Sequence, residues 1–293
     1  MICDQKSDIT EFFNKRDRRA QICAVAYRGD HTVKQYIVDA FSDKVFKGNP
    51  AAVCVMQRWP DDDLMQKIAI ENNLSETAFV VWEKDRYRLR WFTPHAEIDL
   101  CGHATLGAAF VLANFYKPEE NIFEFDTMSG RLTVAKKDDL YEMDFPSRMP
   151  VPVEVTEDII DALNGQKPMG AYLGRDLMLV LPDEKSVRDF TPDWNRIRAV
   201  SKGMGFLITA KADGGEYDFV SRCFFPKINV NEDPVTGSAH CNFVPYWAMK
   251  LGKEEMTAHQ ISARGGILYC RNDKNRVILG GRAVLFCEAE LHI

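Results

Sequence analysis

Two stretches of this chain repeat one another. RWFTPHAEIDLCGHATLGAAF begins at Arg90 and RCFFPKINVNEDPVTGSAHCN at Arg222. Arg90, Phe92 and Pro94 match Arg222, Phe224 and Pro226 at a constant separation of 132 residues. Carried onward, that separation sets Cys101 on Asp233, and the Cys-Gly-His-Ala-Thr turn on Asp-Pro-Val-Thr-Gly. A second echo, EFDTMSGRLTV from Glu124 and QISARGGILYC from Gln260, places Gly130 on Gly266 and Leu132 on Leu268, at a separation of 136. Each of the first two stretches reads as strand, turn and helix. The helical segments LGAAFVLANF and SAHCNFVPYWAMKLG have almost no polar face, and a helix of that kind must be buried all round. Pro245 is expected to kink the second. The duplication therefore predicts an α+β fold of two pseudo-symmetric lobes, each a curved mixed β-sheet wrapped round a central buried helix.

At 293 residues the chain has room for two lobes of roughly 100–150 residues each. The polar residues 1–32 read as an extension. Residues 33–148 read as an N-terminal lobe, completed by a C-terminal strand near 283–293, and 149–282 as a C-terminal lobe. The proline-rich PSRMPVP at 146–152 marks the linker. Within the first lobe, strand 33–41 leads to the Gly48-Asn49-Pro50 turn. Asp61 to Asp63 open an amphipathic helix, where the helix dipole favours acids. Ser75-Glu76-Thr77 then leads into the strand AFVVW, followed by the alternating RYRLRWF.

A net charge of -6 argues against a nucleic-acid partner. No run of 18 apolar residues suggests a membrane span, and the N-terminus lacks the apolar core of a secretory signal. The eight cysteines include no C-x-x-C pair and read as free thiols of a cytoplasmic protein. The six histidines and the cysteines show no metal-ligand spacing, so no metal is expected. Gly203-Met204-Gly205 and Gly214-Gly215 are too short for a dinucleotide fingerprint.

Each of the two turns precedes a helix and so presents backbone N–H groups at a positive helix end, a ready anion site. Opposed across a cleft, they suit a small carboxylate and place polar side chains on both sides of a bound carbon, as a proton shift requires.

Asn72-Asn73-Leu74-Ser75-Glu76-Thr77-Ala78-Phe79, DAFSDKVFKGNPAAV, FTPHAEIDLCGHATLG, MSGRL and NEDPVTGSAH together resemble the phenazine-biosynthesis-like (PhzF-type) family over roughly residues 33–290. That family belongs to the diaminopimelate epimerase and proline racemase fold group. The resemblance implies two similar lobes with the site between them, and a cofactor-independent isomerase or epimerase that moves a proton on a small carboxylate. It implies Glu76 as the acid/base, His103 and Asp233 as groups that bind or polarise substrate, and Gly102, Gly237 and Ser238 as binding residues. It also implies a homodimer. Glu76 lies between Leu74 and Ala78-Phe79-Val80, an apolar setting that suits a carboxyl which both takes and gives a proton. His103, at a helix head, is expected to stay neutral because the dipole lowers an imidazole's pKa. Asp233 can cap the second helix as well as act on substrate.

Cys101 and Asn49 are further candidates. Racemases of this fold group use two opposed cysteines. Here the second slot is read as Asp233, which disfavours that scheme and leaves a racemase using Cys101 as an alternative. A binding or interaction protein that keeps the fold is the other alternative.

Overall fold

The computed structural model describes residues 32–293. The expected extension over 1–32 lies, but for Thr32, outside the described residues. Strand β1 (Thr32–Ala40) runs antiparallel to β2 (Asn49–Met56), and helix α1 (Asp62–Asn72) carries the chain over to β3 (Glu76–Glu83), parallel to β2. Parallel neighbours need such a crossover. Asp62 and Asp63 occupy the first turn of α1, and Asn73, at φ 48°, ends it in the left-handed region. Then β4 (Arg86–Phe92) lies antiparallel to β3, and the short β5 (Glu97–Ile98) pairs with the end of β4. Helix α2 (Gly102–Val111) follows, continued by a π-helical turn, Leu112–Tyr116. The meander β6 (Ile122–Thr127), β7 (Gly130–Lys137) and β8 (Leu140–Pro146) begins parallel to β4.

The second half repeats this plan. It contains β9 (Val151–Val153), α3 (Glu157–Ala162), β10 (Gly170–Leu173), β11 (Leu177–Val180), α4 (Glu184–Arg188), α5 (Trp194–Ala199), β12 (Phe206–Lys211), β13 (Phe219–Phe225) and β14 (Val230–Asp233). After these come α6 (Gly237–Leu251), β15 (Glu255–Gln260), β16 (Gly266–Asp273), β17 (Arg276–Gly281) and β18 (Ala283–His292). β11 is parallel to β12 as β2 is to β3, and β13 is parallel to β15 as β4 is to β6. β14 turns back on β13 as β5 does on β4. β18 pairs with β1, and β9 does the same to β10. β18 thus completes the first lobe, and the antiparallel pairing of β8 with β17 joins the two lobes.

The repeat drifts in register. The separation is 132 along β4 and β13, but the central helices open at Gly102 and Gly237, a separation of 135, and the β7/β16 echo sits at 136. A 3₁₀ turn, Pro226–Ile228, and strand β14 hold the extra residues. Side-chain bonds fix the helical match. Thr105 Oγ1 donates to the Cys101 carbonyl at 2.5 Å, and His240 Nδ1 bonds the Thr236 carbonyl at 2.8 Å. Cys101 and Thr236 are the two N-caps. The expected pairing of Cys101 with Asp233 is therefore corrected: the counterpart of Cys101 is Thr236.

Both central helices are sunk in one continuous core. In α2 every residue but Gly102 and Phe110 is buried, and Gly107 lets the helix lie close on Val38, Ala51 and Val53. α2 packs against β1, β2, β3, β7, β8 and β18, and α6 against β15, β16 and β17. Helix α6 runs through Pro245 within one helical assignment. Proline has no N–H for the carbonyl four residues back. That carbonyl, of Cys241, instead accepts from Arg148 N at 2.9 Å. The 146–152 segment thus supplies the hydrogen bond that Pro245 removes. On the outer faces, α1 seats Met65, Ile68 and Ala69 on Cys54, Phe79 and Phe92. α3, α4 and α5 cover β11 to β13 with Ile159, Val187 and Ile197.

Candidate active site

The two central helices meet head to head. A Cβ built on Gly102 would stand 3.9 Å from the Cα of Gly237, and one on Gly237 would stand 4.0 Å from the Cα of Gly102. Two sets of unpaired helical N–H groups therefore converge at the junction of the lobes, where an anion is favoured.

Glu76 opens β3, and its side chain is only 16% exposed. His103, in the first turn of α2, is buried. Glu76 Oε2 and His103 Nε2 face each other at 3.1 Å. They form an ion pair when His103 is protonated, and neither atom has a further hydrogen-bond partner among the described residues. Unpaired buried polar atoms are uncommon in folded proteins and point to a reactive or ligand-binding place. On the other edge of the ring, Nδ1 lies 3.5 Å from Cys101 Sγ and 3.3 Å from Asn49 Nδ2. Asn49 is fully buried at the start of β2. Its Nδ2 donates across to the other lobe, to Asp233 Oδ1 at 2.8 Å and the Val235 carbonyl at 3.0 Å. Those two bonds use both amide hydrogens.

Asp233 ends β14. Thr236 Oγ1 donates to its Oδ2 at 2.5 Å, and Gln260 binds its main-chain carbonyl at 2.7 Å through Nε2. Gln260 Oε1 in turn accepts from Thr236 N at 2.8 Å, so a fully buried amide clamps the turn. Asp233 does not cap α6 directly. Its side chain reaches Thr236, which occupies the N-cap position.

Electrostatics differ from the sequence expectation at His103. Burial alone would lower its pKa, but the charge of the Glu76 carboxylate and hydrogen bonding to Cys101 and Glu76 outweigh burial and hold it well above the ordinary value. The expected neutral ring is corrected: an adjacent carboxylate decides more than a helix dipole does. Burial pushes the Asp233 carboxyl up from an ordinary 3.8 to about 6, against the opposing pulls of His103, Thr236 and Asn49. Burial, with Glu76 nearby, raises the Cys101 thiol to about 11.

Glu76, His103, Cys101, Asn49, Asp233, Gly102 and Gly237 thus come together. Ser238 is one residue beyond, with its Oγ 3.3 Å from Arg175 Nη2. Thr236, Gln260 and Arg175 escaped the sequence reading. Thr236 is legible once the helices, not the strands, set the register. Gln260 and Arg175 arrive from distant elements and leave no local pattern. The fold also brings together one donor atom each from Glu76, Cys101 and His103, all within 4.8 Å of one another, a grouping that linear spacing did not reveal. No described helix is long and apolar enough to cross a membrane.

Known proteins resemble this chain. The family model described as phenazine biosynthesis-like protein matches residues 38–289. An uncharacterized isomerase of Pseudomonas aeruginosa is 45% identical over 256 residues, covering 87% of this chain and 97% of that protein. A PhzF-family phenazine biosynthesis protein structure from Enterococcus faecalis is 51% identical with a TM-score of 0.87, covering 90% of this chain and all of that one. A hydroxyproline epimerase structure from Agrobacterium vitis, with bound trans-4-hydroxy-L-proline, is 9% identical with a TM-score of 0.54, covering 90% of this chain and 93% of that one. That last likeness is one of fold alone, and it places the two-lobed architecture in the diaminopimelate epimerase type. With head-to-head helices between duplicated lobes, and with relatives named as isomerases, the chain belongs to the phenazine biosynthesis-like family.

Proposed function

We propose that this protein is a cofactor-independent isomerase or epimerase that moves a proton on a small carboxylate bound between the lobes. One observation carries the reading: Glu76 Oε2 and His103 Nε2 are buried, face each other and have no further partner beside two converging helix heads. In this reading the substrate carboxylate takes the free N–H groups at Gly102, His103, Gly237 and Ser238. The Glu76 carboxylate removes a proton from carbon, and the electron pair left behind shifts along the substrate. The Glu76 carboxyl exchanges with solvent and then returns a proton to a carbon, so the substrate loses one proton and gains one. His103, charged beside Glu76, stabilises the developing negative charge, and Asp233, raised to about 6, can donate a hydrogen bond to it in its protonated form.

Proton return by one carboxyl needs no second base. Thr236 at the counterpart of Cys101 supports this over a two-thiol racemase, since an alcohol is a poor base at neutral pH. The reading includes a homodimer, which rests on the family resemblance. It also includes a reducing cytoplasmic setting, supported by the free cysteines Cys54, Cys101, Cys223, Cys241, Cys270 and Cys287.

The test is deuterium entry into carbon in D2O, followed by mass spectrometry over a panel of ring carboxylates, hydroxy acids and amino acids. Glu76→Gln keeps the shape and removes the base, so exchange is expected to fall about 10²- to 10⁴-fold. Wild-type exchange in Glu76→Gln would sink the one-carboxyl mechanism.

A further inference from the structure

The site just described contains two carboxyls, Glu76 and Asp233, and it is read as binding an anion. With both ionised, the protonated His103 offsets only one of them, so a further cation must offset the other if an acid is to bind in preference to its neutral analogue. Most arginines near the lobe junction are committed elsewhere: Arg90 to Glu97 and Asp62, Arg222 to Glu232, Arg264 to Asp39. Arg175 is placed differently. It sits in the three-residue turn between β10 and β11, and its Nε and Nη2 both donate to Asp176 Oδ2, at 3.1 and 3.0 Å. Asp176 is buried, and its Oδ1 accepts from Gly205 N at 2.9 Å. A buried carboxylate anchored on backbone thus fixes one edge of the guanidinium. Nη2 reaches Ser238 Oγ at 3.3 Å, at the head of α6. Nη1 donates to no protein acceptor among the described residues, and half of the side chain is exposed.

A second observation marks the same place. Asn242 lies one helical turn after Ser238, is 1% exposed, and has no partner for Nδ2 among the described residues. Gly174, beside Arg175, approaches it so closely that a Cβ there would come within 2.6 Å of that nitrogen. Asn242 Nδ2 lies buried beneath Gly174. Arg175 Nη1 and the amides at the head of α6 are the spare donors, and they match a carboxylate, which only accepts.

We propose that Arg175, oriented by Asp176 and abutting Ser238, is the cationic anchor that makes this site select substrates carrying a carboxylate. The inference rests on the proton-transfer reading for the identity of the site, but binding alone can test it. Ring and α-amino monocarboxylates are titrated calorimetrically against wild-type protein, each beside its own carboxamide. The wild type is expected to prefer the acid, and Arg175→Met to lose about 10- to 100-fold of affinity for the acid with little change for the amide. Arg175→Lys should recover only part of the loss, because an ammonium cannot reproduce the fork that Asp176 holds. Arg175→Met leaves Asp176 buried without its cation. The double variant Arg175→Met, Asp176→Asn removes both charges and should show the same loss in a folded protein.

Deuterium exchange adds a kinetic readout, with KM for the acid rising in Arg175→Met while kcat stays within a few-fold. Equal acid-over-amide preference in wild type and in both Arg175 variants would overturn the proposal, as would a wild type with no preference for any acid. A Glu76→Gln protein that exchanges at the wild-type rate but binds acids normally would instead overturn the proton-transfer reading alone.

Discussion

Asp233→Asn is expected to give a more stable protein with a poorer site. The Asp233 carboxyl has a pKa of about 6 in the folded chain against an ordinary 3.8, chiefly because burial disfavours its charge. Bonds from Thr236 Oγ1 at 2.5 Å and Asn49 Nδ2 at 2.8 Å, together with His103, offset burial only in part. A difference of about 2 pKa units corresponds to about 3 kcal/mol. The sign is unfavourable to folding. Below pH 3.8 both folded and unfolded chains hold the proton and no penalty exists. Between about pH 4 and 6 the unfolded chain loses its proton first, and stability falls. Above about pH 6 both are ionised and the whole penalty applies.

Asparagine keeps the size and an acceptor for Asn49, and carries no charge. Urea unfolding at pH 7.5 should therefore show the variant more stable by up to about 3 kcal/mol, with the gap closing near pH 4. Turnover should fall in the same variant, the trade expected where a protein keeps a costly group for function. A variant no more stable than wild type at pH 7.5, or a gap that persists unchanged at pH 4, would refute the claim that ionised Asp233 is held against its solvation preference.

Other consequences follow from the same geometry. Cys101, buried and with its thiol raised to about 11, should resist iodoacetamide at pH 8, where only about one part in a thousand is thiolate. Peptide mapping should find the partly exposed Cys287 labelled well before Cys101, and the reverse order would show an activated thiol. Gly48→Ala should lower stability by at least about 2 kcal/mol, because its φ of 67° is left-handed and a Cβ would meet the Ala40 carbonyl oxygen at 2.1 Å. Thermal unfolding indistinguishable from wild type would mean that the turn positioning Asn49 is looser than this backbone implies.

Much of the architecture was legible in the sequence because its causes are local. Strand alternation in RYRLRWF, the acids opening α1 and the wholly apolar faces of α2 and α6 each depend on near neighbours in the chain, and duplication made every signal appear twice. Glu76, His103 and Asp233 stood out through short motifs. The register of the repeat along β4 and β13 does not extend to the central helices, because three residues enter between β13 and α6 and transfer the role opposite Cys101 from Asp233 to Thr236.

What the sequence by itself determined is therefore the set of elements and the groups that open each central helix. Only the tertiary structure decided how those groups behave. The charge state of His103 depends on Glu76, which reaches its helix from strand β3, and the pKa of Asp233 depends on enclosure by both lobes. The helix through Pro245 depends on a hydrogen bond from Arg148, nearly a hundred residues earlier in the chain. Arg175 depends on a turn that the fold lays against α6. Desolvation and Coulomb interactions act through space, and distance along the chain does not encode them.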